Sequence, residues 1–306
     1  MGLGVALVVL AAFFWGLSGG IGGILMADGW DPFVVSFYRG AIGLLFVLAW
    51  LVWRPGGSGM GSPRMWFWSA VAGLGVAGNF AFYFVSISHG SVAVAATLMY
   101  TAPVFVYLVS FAFRLESPTT LKLVAIALVM FGIVMLTQIY DISAGGVTLI
   151  GVGAGLLAGL SYALFIFGFK YAGQHGSPQA ILTIAFGVLV IVLMLPGDNT
   201  QMLAALSSSD WPLFLALGVF GAGLSFAFYI NGLRTTAPAV ASIVAMIEPV
   251  TATLFGVAIL DESLALVQIL GMALILVTVT ALSVSSRATP PVPPQEEDER
   301  RDRGSE

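Results

Sequence analysis

Cysteine is absent from all 306 residues, which excludes disulfides, thiolate catalysis and cysteine-ligated metal sites. Histidine is nearly as scarce. Only His89 and His175 are present, too few for a histidine-rich metal centre, so neither a metal nor another cofactor is expected. The third shortage is charge: Asp, Glu, Lys and Arg make up 8% of the chain, against about 25% in an average soluble domain. A soluble globule of 32.0 kDa needs far more charge to cover its surface, and no basic concentration of the kind that binds nucleic acid is present. The formal net charge of −4 says little about partners, because six of the fifteen acids lie in the last dozen residues.

What the chain has instead is apolar length. Hydrophobic residues make up 59% of it, in runs near 20 residues that can each cross a hydrocarbon core of about 30 Å. Breaking at Pro, Gly and charge clusters predicts ten spans: 3–26, 32–53, 65–87, 91–113, 119–139, 147–170, 177–195, 211–232, 238–260 and 264–285. The first run has no basic n-region and leads straight into further spans, so it reads as a membrane helix and not as a cleavable signal peptide. The stretch 287–306, Pro-rich and then dense in charge, reads as a disordered cytoplasmic tail.

Basic residues set the expected orientation. With a cytoplasmic N-terminus, Arg54, Arg64, Arg114, Lys122, Lys170, Arg234 and Arg287 all fall at cytoplasmic ends. The opposite connections hold Asp28, Asp31, Asp141, Asp198, Asp210, Asp261 and Glu262, with no Lys or Arg. That is a positive-inside pattern with both termini cytoplasmic.

An internal repeat organises the chain. FAFY at 80–83 recurs at 226–229, an offset of 146, and the same offset carries Gly75 to Gly221, AVA at 93–95 to 239–241, Pro103 to Pro249, and Glu116-Ser117 to Glu262-Ser263. Shared Pro, Glu and Tyr at one gapless offset are hard to obtain by chance. Each half, residues 1–140 and 141–286, holds five spans, an odd number, so the halves enter the membrane from opposite sides. Inverted repeats of this kind are used by secondary transporters, which rock two half-structures about a site at the midplane. The expected fold is therefore all-α and integral to the membrane: ten helices in two inverted five-helix halves around a central cavity.

FFWGLSGG (13–20), YRGAIGLL (38–45), YTAPVFVYLVSFAFRLES (100–117) and MIEPVTATLFGVAILDESLALVQILGMALIL (246–276) resemble the drug/metabolite transporter superfamily, specifically its two-repeat EamA-type exporters. The resemblance spans residues 1–285. It implies export of amino acids, related metabolites or drugs across the cytoplasmic (inner) membrane, a cavity surrounded by helices of both halves, and a last helix of each half packed at the periphery, where a homodimer could form. Import in the same fold is the alternative direction.

Several residues are candidates for the substrate site. Arg39 stands about eight residues, roughly 12 Å, into its span. A charge so deep costs about 2.5–3.5 kcal/mol on insertion scales and faces a cavity or a partner; it could hold a carboxylate, or be a structural ion pair or a snorkelling side chain. Glu248, before Pro249, lies mid-span. It could bind a substrate amine or relay a proton, or serve the carbonyls that the proline frees. Pro103 and Pro249 occupy equivalent positions, each removing a backbone hydrogen bond, and are candidate hinges or packing kinks. Trp15, Ser18, Asn79, Tyr83, Tyr100, Tyr107, Ser161, Tyr162, Ser225 and Tyr229 supply rings and polar groups suited to organic ligands. Tyr83 with Tyr229, and Trp15 with Tyr162, stand out as comparable positions of the two halves. The lipid-facing or interfacial ring is the plain alternative for each.

Other features read as scaffold. Glycines at 16/20, 19/23 and 151/155/159 follow small-xxx-small spacing for close helix packing, and Glu116 and Glu262 suit the starts of peripheral helices. His89 reads as an interfacial, hydrated side chain. Gly73-Leu-Gly75-Val-Ala-Gly78 matches a nucleotide-binding pattern but lacks the strand–loop–helix context. Gly16-Leu-Ser18-Gly-Gly20 matches GxSxG, which leaves an intramembrane serine hydrolase as a second function class; it needs a histidine on Ser18, and His89 is expected near the far face.

Overall fold

The computed structural model describes residues 2–89, 92–115, 118–141, 148–259 and 263–285, and among them every regular element is helical. Glu116, Glu262 and the segment 287–306 lie outside the described residues. In chain order the helices are α1 (Leu3–Ala27), α2 (Pro32–Trp53), α3 (Pro63–Ser88), α4 (Val92–Met99), α5 (Ala102–Ala112), α6 (Thr120–Thr137), α7 (Leu149–Ala172), α8 (Pro178–Met194), α9 (Asn199–Ala205), α10 (Trp211–Gly218), α11 (Ser225–Thr235), α12 (Pro238–Val244), α13 (Ile247–Ile259) and α14 (Leu266–Ser285).

Helix starts follow local chemistry. Asp31 accepts from the N–H groups of Phe33 and Val34, with Pro32 at the first helical position of α2. Ser62, Thr119, Thr148 and Ser177 cap α3, α6, α7 and α8 in the same way. A side-chain oxygen satisfies an orphan N–H, and proline fits where no N–H is needed.

Among the described residues nine stretches are long and apolar enough to cross a bilayer: α1, α2, α3, the α4–α5 pair, α6, α7, the α10–α11 pair, the α12–α13 pair and α14. The remaining expected span, α8, is apolar but has 17 residues, about 25 Å of helix. The short α9 was not legible in the sequence. Asp198 starts it by accepting from Thr200 and Gln201 N–H.

Three of these stretches are not continuous α-helix. Tyr100 and Thr101 separate α4 from α5, and Ala245 and Met246 separate α12 from α13. Pro103 and Pro249 sit in the first turn after each break, both buried. Between α10 and α11 the chain widens into a π-helical turn, Val219–Leu224.

Packing is closest between α3 and α7, with α1 against α11 and α13, α2 against α8, and α6 against α14. Glycine permits these approaches. A Cβ on Gly168 would lie 2.7 Å from the Ala72 nitrogen, and one on Gly75 2.6 Å from the Phe165 nitrogen. Gly16, Gly20, Gly151, Gly155 and Gly159 pack as their spacing predicts. Gly19 and Gly23 do not: a Cβ on Gly19 would meet only Ala252 at 4.0 Å, and one on Gly23 nothing within 4 Å. At Gly19 α13 comes only to ordinary contact distance, and among the described residues nothing packs on Gly23. Large apolar side chains such as Leu121, Phe131, Ile150, Ile269 and Val277 stay exposed on the outside of the bundle, where acyl chains supply the missing contacts.

Candidate functional site

The broken helices bring the predicted residues together. Glu248 lies in the first turn of α13, where the positive end of the helix dipole favours a carboxylate. Tyr162 of α7 donates its hydroxyl hydrogen to Glu248 Oε2 at 3.3 Å. Arg39 of α2 and Tyr83, Tyr100, Tyr162 and Tyr229 of the surrounding elements all lie within electrostatic reach of that carboxylate. Tyr162, Tyr229 and Tyr100 are buried, whereas Arg39, Tyr83 and Glu248 keep partial accessibility. Three polar side chains thus stay partly accessible beside buried rings.

Arg39 does not ion-pair directly with Glu248. Its Nε and Nη2 donate to the carbonyl of Gly221 at 3.0 and 2.8 Å, and its guanidinium carbon stands 4.9 Å from the centre of the Phe80 ring. Gly221 belongs to the π-helical turn, whose carbonyls depart from the regular α-helical ladder. A buried charge inside a membrane finds such backbone acceptors or a partner. Nothing in the residue pattern marks this acceptor, since a π turn has no residue signature.

Beside the charges lies an aromatic cluster. Trp15 of α1 is 3% exposed, and its ring meets Tyr162 at 6.3 Å, Phe165 at 6.2 Å, Phe226 at 5.0 Å and Tyr229 at 4.9 Å. The predicted pair Trp15 and Tyr162 thus touches directly. Phe165 and Phe226 were missed, as was Phe80 under Arg39. Phe80 and Phe226 are the first residues of the repeated FAFY, three positions before Tyr83 and Tyr229 and so on the same helix face. The repeat contained that signal.

Three buried polar atoms in this region have no hydrogen-bond partner: Trp15 Nε1, Tyr229 OH and Ser225 Oγ. Tyr107 OH on α5 is a fourth. Asn79, by contrast, is spent on packing. Its side-chain amide donates to the Ala158 carbonyl at 3.0 Å, binding α3 to α7. Ser18 donates to the Trp15 carbonyl at 2.8 Å, while the His89 ring engages Ser88 and the Val85 carbonyl at the far end of α3.

Among the described residues no three His, Asp or Glu side chains converge. The site's chemistry is that of one carboxylate, one guanidinium, hydroxyls and aromatic faces. An apolar groove of about 590 Å³ lies elsewhere, on the flank between α3, α5 and α7, lined by Trp68, Phe113, Leu164, Phe167 and Tyr171. Of the candidate substrate residues only Ser161 lines it; Arg39, Glu248 and the tyrosines around them do not.

Comparison with known proteins agrees with this architecture. The chain is 31% identical over 282 residues to an uncharacterized transporter of Archaeoglobus fulgidus, covering 90% of this chain and 94% of that one. It is 27% identical over 287 residues to the uncharacterized inner membrane transporter YedA of Escherichia coli, covering 87% and 86%. It is 25% identical over 285 residues to the uncharacterized transporter YwfM of Bacillus subtilis, covering 92% and 93%. One crystal structure superposes with a TM-score of 0.76 at 18% identity, over 93% of this chain and 97% of that one, which shows a shared fold. The EamA-like transporter family matches twice, over residues 2–138 and 149–284. With two family matches across nearly its whole length and a multi-pass helical architecture, the chain belongs to the EamA-like transporter family.

Proposed function

We propose that this protein is a secondary carrier that moves a small organic metabolite, an amino acid or a related compound, across the cytoplasmic membrane by alternating access to one central site. In this reading ten helices form two inverted halves, residues 1–140 and 141–286, with both termini cytoplasmic. The charge pattern supports that orientation, and the family resemblance favours export.

One observation carries the proposal. Arg39 from the first half and Glu248 from the second lie within electrostatic reach of each other, amid aromatic rings and beside the interrupted helices α4–α5 and α12–α13. Opposite charges and rings around an accessible space suit a small polar organic molecule. Interrupted helices beside such a space are the usual construction of a carrier site. Glu248 would receive an amine or a proton, Arg39 an anionic group through its remaining N–H donors, and Trp15, Tyr83, Tyr100, Tyr162 and Tyr229 the body of the substrate. Asn79 serves this reading indirectly, by holding α3 on α7. Pro103 and Pro249 would let the interrupted helices bend between states. The sequence contains no ATP-binding element, so a gradient or exchange drives the flux.

A hydrolase centred on Ser18 finds less support, because its hydroxyl is bonded to its own helix and His89 faces other partners. Import remains the alternative direction within the same fold.

Counterflow in proteoliposomes tests the proposal. Saturable exchange of an amino acid, metabolite or dye is expected, lost in the double variant Arg39→Met, Glu248→Gln. Absence of saturable flux across a broad panel would argue against it. Single-cysteine labelling checks the inverted halves: residues 88–90 and 234–236 are expected on opposite sides of the bilayer.

A further inference from the structure

The geometry points to Lys170 as a latch that holds one end of the transport path shut, so that the chain stands closed at its basic end and open at its acidic end. The inference rests on the carrier reading above and deepens it by naming a residue that sets the conformational state.

Lys170 is in the last turn of α7, and its Nζ donates to the carbonyls of Leu233 at 2.7 Å, Arg234 at 3.3 Å and Thr236 at 3.0 Å. These are the carbonyls that end α11, so an ammonium sits on the negative end of that helix. Arg234 reinforces the junction by donating to the Gly176 carbonyl at 2.8 Å. The Lys170 contacts join α7, the close partner of α3, to α11, the close partner of α1, and the Arg234 contact joins α11 to the connection that follows α7. They span the two helix pairs instead of lying within one.

The 146-residue repeat supplies an internal control, because every contact at one end has a counterpart position at the other. Contacts within pairs do recur. Thr148 bonds the His89 carbonyl from the start of α7, and near the start of α1 Gly4 packs on Thr235, the counterpart of His89. Asp31 N–H bonds Gln201 at 2.7 Å and Trp30 bonds Asp210 at 2.8 Å at the acidic end. Ser177 N–H bonds Ser58 at 3.2 Å at the basic end, in the counterpart connections.

The contacts across the pairs do not recur among the described residues. The counterparts of Lys170 and Leu233 are Ile24 and Ile87, which carry no charge, and α1 and α3 share no packing comparable to that of α7 and α11. Beside Ile24, Gly23 faces open space, with nothing within 4 Å of an added Cβ. Among the described residues the tie between α7 and α11 has no counterpart between α1 and α3. The ties are hydrogen bonds to neutral carbonyls at a hydrated face, which water can replace when the end opens.

The natural absence of cysteine lets paired spin labels report both ends of the full chain in nanodiscs. Gln174 and Thr235, both exposed, flank the latch, and Met26 and Ser88, also exposed, flank the opposite end. The wild-type background is expected to give a short, narrow 174–235 distance and a long 26–88 distance. Lys170→Met should raise the long 174–235 population roughly threefold while a shorter 26–88 population appears, and Lys170→Arg should restore the wild-type distributions. Distributions that do not move in Lys170→Met overturn the latch. Lengthening at 174–235 with no change at 26–88 also overturns it, since that is a local brace and not a gate. If Lys170→Met is not recovered folded, Lys170→Gln, which keeps one donor, is expected to shift both distributions partway, and no shift is again the overturning result. Distances are read without substrate, so a failed carrier assignment (reciprocal distances but no flux) is separable from a failed latch (flux with unmoved distances).

Discussion

Tyr162 and Glu248 are joined by a hydrogen bond of 3.3 Å that fastens α7 to the first turn of α13. It is the polar side-chain link between a helix that packs on α3 and the broken helix that carries the acid. Glutamine at 248 keeps an oxygen for the Tyr162 hydroxyl but loses the charge. Glu248→Gln is therefore expected to fold normally and to lose transport roughly tenfold or more, the loss of one charged contact of about 1.5–3 kcal/mol. Residual flux should lose its pH dependence. Proteoliposome uptake between pH 5.5 and 8.5 checks this, and an unchanged pH profile would end the idea that Glu248 relays protons.

Arg39 uses two N–H groups on one carbonyl, that of Gly221. Lysine has no planar fork and cannot reproduce both. Arg39→Lys should lower stability in detergent by about 1–2 kcal/mol, and Arg39→Met by more, because the Gly221 carbonyl is then left unpaired. Thermal unfolding of the purified variants is the measurement; equal melting for lysine and arginine would mean that the paired geometry is unimportant.

The glycines of α1 give a sharp contrast. A Cβ on Gly16 would lie 2.5 Å from the Glu248 carbonyl oxygen, whereas one on Gly23 meets nothing within 4 Å. Gly16→Ala should displace α13, cost about 1–3 kcal/mol and impair transport. Gly23→Ala should be neutral or stabilising by up to about 1 kcal/mol, since alanine is the better helix former. Melting temperatures and flux of the two variants decide it.

Trp15 Nε1 and Tyr229 OH are buried and without partners, so neither polar group adds to the stability of this state. Trp15→Phe and Tyr229→Phe remove them while keeping aromatic rings. Tyr229→Phe in particular should leave melting unchanged or slightly raised. If the groups engage substrate in another state, KM rises in both variants. Unchanged KM together with unchanged stability would remove them from the site.

Much of this was legible in the sequence because membranes simplify the reading. Arg39 and Glu248 stood out because charge is rare inside spans, and the prolines at 103 and 249 marked where helices break. Trp15 and Tyr162 stood out as comparable places in the repeat, and their rings meet at 6.3 Å. What stayed hidden depends on backbone and packing. The π turn that presents the Gly221 carbonyl has no compositional mark, the breaks fall two to four residues before the prolines and not at them, and the role of Asn79 as a packing bond appears only once Ala158 is beside it. Gly19 and Gly23 show the converse limit, since their spacing is right for helix packing yet α13 only reaches contact distance at Gly19 and nothing among the described residues packs on Gly23.

Glu248 has an uncharged counterpart, for the 146-residue offset lands on Ala102. In the proposed carrier, a site drawn from two similar halves thereby has a positive side at Arg39 and a negative side at Glu248, a polarity that the repeat itself lacks. A molecule with distinct ends can settle there in one orientation only. If the proposed carrier opens to each face in turn, the same end of the bound molecule stays on Arg39 in both states.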